Sequence, residues 1–305
     1  YSSVTADYLL KKMKEDPKVV AITSATPTVM GFTEDKRKEA GSQFVDVGIA
    51  EETAVALASG IAKNGGKPVY GVYSTFVQRT YDQLSQDLCV NNNAATIVVY
   101  AGTVFGMNDV THLGLYDISM MSNIPNLVGI APTTKQEYLA MLDWSIEQNA
   151  YPVYIRIPGG AMEEGEAVTK DYSKLNTYEM IQKGSRVAIV ALGTFLGLGK
   201  EVAADLEKKT GTAATVINPV YFTGIDTGML ESLKADHDVV ITIEDGMLDG
   251  GFGEKITRFY GNSDMKVLNF GLKKEFLDRY DVQEVLTDNH LTKDQIIADI
   301  TEVLA

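Results

Sequence analysis

The sequence predicts an α/β protein made of two doubly wound domains, each with a mostly parallel sheet. Three observations carry that reading. β-rich apolar runs alternate with helical patterns from one end of the chain to the other, the order that builds parallel sheets through crossover helices. The 305 residues make about twice the usual domain length. Apolar periodicity lapses over residues 161–176, AMEEGEAVTKDYSKLN, where charges cluster as they do in an exposed connection. The expected domains are residues 1–165 and 174–305.

In the first half, residues 8–13 carry a short helical pattern, and VVAIT at 19–23 reads as a buried strand ending in the Ser/Thr/Pro turn at 24–28. A charged excursion at 34–39 leads to the central strand and to FVDVGIAEETAVALASGIA at 44–62, the stretch around which the chain is organised. Phe44, Val45 and Val47 end a buried strand. Ala54, Leu57, Ala58 and Ile61 then fall at i, i+3, i+4 and i+7, one face of a helix. Glu51 therefore sits at a strand-to-helix junction, on the sheet edge where ligands bind in such folds. A carboxylate fixed there, half desolvated, is suited to exchange a proton with a bound heterocycle. Acidic residues also gather in first helical turns because the macrodipole favours them, and the segment alone leaves both readings open.

Asn64, Gly65 and Gly66 close that helix, and PVYGVY at 68–73 completes a βαβ unit. Residues 74–90 open with a Ser/Thr cap and continue as a helix, which returns Phe76 and Arg79 to the strand ends. A strand at 95–100 precedes the loop AGTVFGMNDVTHLG at 101–114. A loop of that length holding a histidine, an amide and a carboxylate near a sheet edge favours function, although a loop histidine such as His112 is by itself more often a surface residue or a local hydrogen-bond donor. A helical segment at 117–122, a strand at 127–131, a Thr-capped helix at 134–147 and a strand at 153–156 follow.

The second half restarts with RVAIVA at 186–191, GTFLGLG at 193–199 and a helix through 206. The glycine spacing is GxxxGxG, not GxGxxG, and no further site residue supports a dinucleotide, so a tight turn is the better account. Strands at 213–217, 239–243 and 266–270 alternate with helices at 228–235, 252–260 and 293–304.

Composition excludes several functions. Acidic residues outnumber basic ones by 41 to 27, and the net charge of -14 repels polyphosphate backbones, so no nucleic-acid partner is expected. No apolar run reaches the length of a bilayer span, so no membrane partner is expected either. The single cysteine, Cys89, leaves no internal disulfide and fits a reducing, cytoplasmic setting; among Leu84 and Leu88 it reads as a buried, inert thiol. His112, His237 and His290 lie far apart, with no CxxC, so no protein-built metal site is expected. The chain begins at Tyr1 without the basic-then-apolar order of a signal peptide and reads as a piece of something longer or a trimmed product.

The runs AITSATP at 21–27, FVDVGIAEETAV at 44–55, KPVYGVYSTFVQRTYDQ at 67–83, THLGLYD at 111–117 and IPNLVGIAPT at 124–133 resemble a known family. NPVYFTGID at 218–226, TIEDGMLDGGFGE at 242–254 and NFGL at 269–272 continue the match. The chain is similar to the pyrimidine-binding and carboxyl-terminal domains of thiamine diphosphate enzymes of the transketolase group, in particular 1-deoxy-D-xylulose-5-phosphate synthases of isoprenoid precursor biosynthesis. The resemblance implies a transferase that decarboxylates pyruvate and ligates the two-carbon unit to an aldehyde, glyceraldehyde 3-phosphate in the family. Glu51 would hydrogen-bond the cofactor's aminopyrimidine and assist loss of the thiazolium proton, with Phe76 and Ile49 against the pyrimidine. His112 would act at the acceptor as hydrogen-bond donor or proton shuttle, while Tyr73, Arg79 and Asn108 would line the substrate side.

The resemblance further implies that Mg²⁺ and the diphosphate are bound by a GDG…N motif in an amino-terminal domain absent from this chain, carried on the same or a separate polypeptide. It also implies a homodimer acting on small molecules. Glu244-Asp245-Gly246 superficially resembles that motif, but its surroundings match the carboxyl-terminal domain, and the acidic pair reads as structural. Several positions depart from the pattern. Tyr100 and Gly159 stand where the family's phosphate-holding arginines are placed, Asn108 replaces an Asp, and Thr53 replaces a His. Arg79 and Arg156 are the remaining candidates for an anion contact. The alternatives are the carboxyl-terminal subunit of a split transketolase and a catalytically degenerate structural partner.

Overall fold

The computed structural model describes residues 1–159 and 163–305. Strands β1 (Val19–Thr23), β2 (Phe44–Asp46), β3 (Lys67–Tyr73), β4 (Thr96–Tyr100), β5 (Val128–Ile130) and β6 (Val153–Arg156) form a wholly parallel sheet in the order β2-β1-β3-β4-β6-β5. Strand β4 is buried along its whole length and β3 along most of it. Both faces are covered, which is why both strands read as unbroken apolar runs. From β1 the chain leaves toward β2, and from β3 it leaves the opposite way toward β4. The crevice between β1 and β3 is therefore a topological switch point, where open α/β sheets bind ligands.

Strands β7 (Glu179–Gln182), β8 (Arg186–Ala191), β9 (Thr215–Asn218), β10 (His237–Met247) and β11 (Lys266–Leu272) form the second sheet, ordered β11-β10-β8-β9-β7. It is parallel except for the edge strand β7, which runs against β9. The glycines at 193–199 make a tight 3-10 turn at Gly193–Phe195, with Gly193 at φ +57, before the helix Leu196–Thr210. Glu244 accepts from the N–H groups of Phe252 (2.8 Å) and Gly253 (2.7 Å) at the start of the helix Phe252–Tyr260. That is a structural capping role for the first carboxylate of the acidic pair.

Several expectations need correction. The strand before Glu51 is an edge strand, only partly buried, because β2 pairs with β1 alone. The charged excursion is the helix Glu34–Ala40, capped by the Thr33 hydroxyl, with acids in its first turn and bases in its last as the macrodipole prefers. The first helix runs over Ser2–Glu15 rather than 8–13. Residues 74–90 do not form one regular helix: a turn at Ser74–Val77 passes through the 3-10 segment Gln78–Thr80 into a π-helical stretch at Leu84–Cys89. The Thr80 hydroxyl donates to the Val77 carbonyl, the kind of back-bond that competes with the regular helical ladder. Of the expected connection at 161–176, Ala161 and Met162 lie outside the described residues, and 163–176 contain neither helix nor strand.

The two sheets share packed surface. Ile130 bridges to Tyr221, and one buried cluster joins Ile118 and Met121 to Phe222 and Phe252. A buried ion cluster reinforces the junction: the Arg156 guanidinium donates to Asp117 (2.9 Å) and to Asp245 (2.5 Å).

Candidate active site

Because the first sheet is parallel, the segments after β2, β3 and β4 all emerge on one edge, and each carries predicted site residues. After β2 the chain turns at Gly48, φ +72, a left-handed conformation that favours glycine. Asp46 steadies the turn by accepting from the N–H groups of Gly48 (3.0 Å) and Ala25 (2.8 Å). Ile49 is then left 79% exposed, and the helix Glu51–Lys63 begins with no side-chain cap.

Glu51 is 3% exposed, although it opens the helix. A carboxylate serving only the macrodipole would lie in solvent, as its neighbour Glu52 partly does; burying the charge is unfavourable unless a partner meets it. Arg79 does so, its Nη1 donating to the Glu51 carboxylate at 3.2 Å while its Nε lies 3.4 Å from Glu52. Arg79 is half exposed, so the pair sits at the mouth of the site.

After β3, the Tyr73 ring stands edge-on to Phe76 at 5.5 Å, and Phe76 lies edge-on to His112 at 5.4 Å. The three rings form a continuous aromatic wall. The Thr75 hydroxyl ties this turn to the loop by donating to the Thr111 carbonyl (3.0 Å). In the loop after β4, His112 Nδ1 lies 2.9 Å from the Asp109 carboxylate. Asp109 also accepts from the Thr111 hydroxyl, and these bonds, Thr111 foremost and His112 next, hold its carboxyl down at about 2. With Nδ1–H given to an ionised carboxylate, Nε2 is the nitrogen left to take or give a proton. Asp109 is the carboxylate counted in this loop from the sequence, but its pairing with His112 was not foreseen; the D-x-x-H spacing was the available signal.

The loop is held from the second domain. The Asn108 side chain donates to the Tyr280 carbonyl (3.2 Å), the Val110 N–H donates to Asp278 (3.1 Å), and the Tyr280 hydroxyl donates to the Val104 carbonyl (2.8 Å). Asn108 is thus a strut between domains in this structure. At its far end the loop passes so near itself that a Cβ on Gly114 would fall 1.8 Å from the Ala101 carbonyl oxygen, a spacing only glycine allows.

Neither candidate anion contact is free. Arg156 is 4% exposed and bound to Asp117, Asp245 and the Gly114 carbonyl, which corrects its assignment to an anion. Arg79 is engaged with two carboxylates. Cys89 is buried, and burial pushes its thiol up to about 12, in keeping with an inert role. Thr53 lies exposed on the helix behind Glu51.

This chain belongs to the transketolase family. Residues 1–163 match the model described as "Transketolase, pyrimidine binding domain", and residues 176–296 match "Transketolase, C-terminal domain". Within the family its similarity is to 1-deoxy-D-xylulose-5-phosphate synthases. That of Clostridium perfringens (strain SM101 / Type A) is 36% identical over 282 residues, 91% of this chain and 45% of the relative. That of Clostridium tetani (strain Massachusetts / E88) is 31% identical over 306 residues, covering 100% of this chain and 49% of the relative. The chain thus spans less than half the length of these curated relatives. A solved structure described as "Split gene transketolase, inactive beta4 tetramer" has the same fold, with a TM-score of 0.83 at 22% identity, covering 99% of this chain and 97% of that one. No described helix is long and apolar enough to cross a membrane.

Proposed function

We propose that this chain supplies the pyrimidine-facing half of the active site of a thiamine diphosphate-dependent carboligase of the 1-deoxy-D-xylulose-5-phosphate synthase type. The buried carboxylate of Glu51, at the carboxyl edge of the parallel sheet, carries the reading. The residues present suit the pyrimidine end of the cofactor: a buried acid for a ring nitrogen, the Phe76 ring for its face, and the exposed Ile49 as an apolar rim. They do not suit its diphosphate. Among the described residues no group of three His, Cys, Asp or Glu could hold a metal ion, so Mg²⁺ and the diphosphate fall to a second half on the same or another polypeptide.

When bound, the cofactor supplies the electron sink for the decarboxylated two-carbon unit. The chain's own residues position and protonate. Glu51 would hold the pyrimidine nitrogen through its carboxyl group, with Arg79 beside it at the mouth of the site. His112, oriented through Nδ1 by Asp109, uses Nε2 to deliver a proton to the acceptor oxygen. Tyr73, Arg79 and Asn108 border the substrate. The domain limits 1–165 and 174–305, a homodimer and a cytoplasmic setting belong to the same proposal.

The test is CO₂ release from labelled pyruvate by the assembly containing both halves. Glu51→Ala should lower it by about 10²–10³-fold or more, the scale of losing an electrostatic catalytic group. Unchanged release would make the chain a structural partner. The rival reading, the carboxyl-terminal subunit of a split transketolase, draws on the described neighbour of nearly equal length. It predicts ketol transfer between sugar phosphates with no CO₂ released.

A further inference from the structure

A strap from the second domain crosses the loop that carries His112. Residues 273–281, KKEFLDRYD, lie between β11 and the helix Val282–Asp288 and contain neither helix nor strand. The Arg279 N–H donates to the Asn108 carbonyl (2.6 Å), and the Asn108 side chain donates back to the Tyr280 carbonyl (3.2 Å). Arg279 adopts φ +48, a left-handed conformation uncommon outside glycine that persists only where the surroundings enforce it. The Tyr280 hydroxyl donates to the Val104 carbonyl (2.8 Å), and the Asp278 carboxylate accepts the Val110 N–H (3.1 Å). Beneath the strap, Val104, Leu113 and Leu115 are buried in the core of the second domain beside Ile189 and Phe195. Between those anchors residues 105–112 are exposed or half-buried, so their conformation depends on polar ties.

One of the ties leads directly to His112. The peptide group joining Asp109 to Val110 is planar, so its N–H and C=O turn as one unit. Its N–H is held by Asp278, and its C=O accepts the His112 N–H (2.9 Å). The Asp109 side chain meets the same residue again at His112 Nδ1. We propose that Asp278 is a positioning residue for His112: by fixing the 109–110 peptide from the second domain, it sets the place of the imidazole and its Nδ1–H tautomer. Without that acceptor the peptide is free to turn, and both Asp109 contacts to His112 turn with it. That His112 then serves the acceptor aldehyde rests on the carboligase reading above. The tie needs an acceptor oxygen and not a charge, so Asp278→Asn keeps it and Asp278→Ala removes it.

The test compares the ¹⁵N-labelled chain with these two variants, and His112→Gln identifies the imidazole signals of His112. In Asp278→Ala the Nδ1 and Nε2 shifts should draw together as the second tautomer appears. The His112 amide should exchange about 10-fold faster, the worth of one hydrogen bond. Asp278→Asn should restore both, and neither variant should move the thermal midpoint, because Asp278 is exposed. In the assembly of both halves at saturating pyruvate, Asp278→Ala should lower kcat/KM for the aldehyde about 10-fold and leave KM for pyruvate unchanged. Unaltered His112 shifts in Asp278→Ala overturn the proposal, as does a loss that Asp278→Asn fails to repair, or altered shifts with unaltered ligation. Absence of CO₂ release from pyruvate by the unmodified assembly would sink the carboligase reading by itself, and the ¹⁵N shifts would then decide alone whether Asp278 positions the ring.

Discussion

Replacing Arg156 with methionine leaves Asp117 and Asp245 in a site closed to water. Arg156 is 4% exposed, Asp117 0% and Asp245 1%. Burial opposes the guanidinium charge, but Asp117 and Asp245 outweigh it and hold the group firmly protonated, above its ordinary value. Removing one member of a buried ion cluster costs about 3–5 kcal/mol, because the remaining charges lose their partner. Here each carboxylate keeps a second donor, the Tyr154 hydroxyl for Asp117 (3.1 Å) and the Thr194 hydroxyl for Asp245 (3.3 Å). The expectation therefore lies at the lower end, about 3 kcal/mol, and over a chain of this length it lowers the thermal midpoint by about 5 °C. Urea unfolding followed by circular dichroism and by the fluorescence of Trp144, the single tryptophan, measures the loss. Because the cluster joins the two sheets, both probes should move. The variant Arg156→Met/Asp117→Asn/Asp245→Asn removes the uncompensated charges and should recover most of the stability. A loss below about 1 kcal/mol in the single variant, or a triple variant no better than the single, would refute this account of the junction.

Burial pushes the Glu244 carboxyl up to about 7, against the lowering effect of the Gly253 and Phe252 N–H groups. The folded state thus binds this proton more tightly than the unfolded chain, so the stabilisation is complete below the ordinary value of 4.5 and is lost as pH rises through about 7, by roughly 3 kcal/mol. Glu244→Gln should flatten that slope; a thermal midpoint of the unmodified protein that rises from pH 5 to 8 relative to the variant contradicts it. Asp109→Asn should leave the thermal midpoint unchanged while the His112 ring loses its fixed Nδ1–H tautomer, read from the imidazole ¹⁵N shifts; an unaltered tautomer would mean that the pair does not orient the ring. Cys89 should resist thiol reagents until urea opens the fold, and rapid modification of the native protein would contradict its burial.

What the sequence disclosed and what it hid divide along one physical line. Buried parallel strands are specified by local composition, and those at 19–23, 68–73 and 186–191 coincide with β1, β3 and β8 to within a residue. Elements that face solvent announce themselves only through charge order or partner strands. The helix Glu34–Ala40 has scarcely an apolar face, the edge strand Glu179–Gln182 is largely exposed, and the short helix Val282–Asp288 follows a polar stretch. All three escaped a reading built on hydrophobic period. At the site the same limit appears in another form. The position of Glu51 followed from a strand running into a helix, a local event. That Arg79 would cover it depends on a turn in the next βαβ segment, 28 residues on, and that Arg156 would be consumed by Asp117 and Asp245 depends on how two domains meet. A side chain's identity fixes what it can do. Whether it is free to do so is decided by partners distant in sequence, as Asp117 and Asp245 decide it for Arg156.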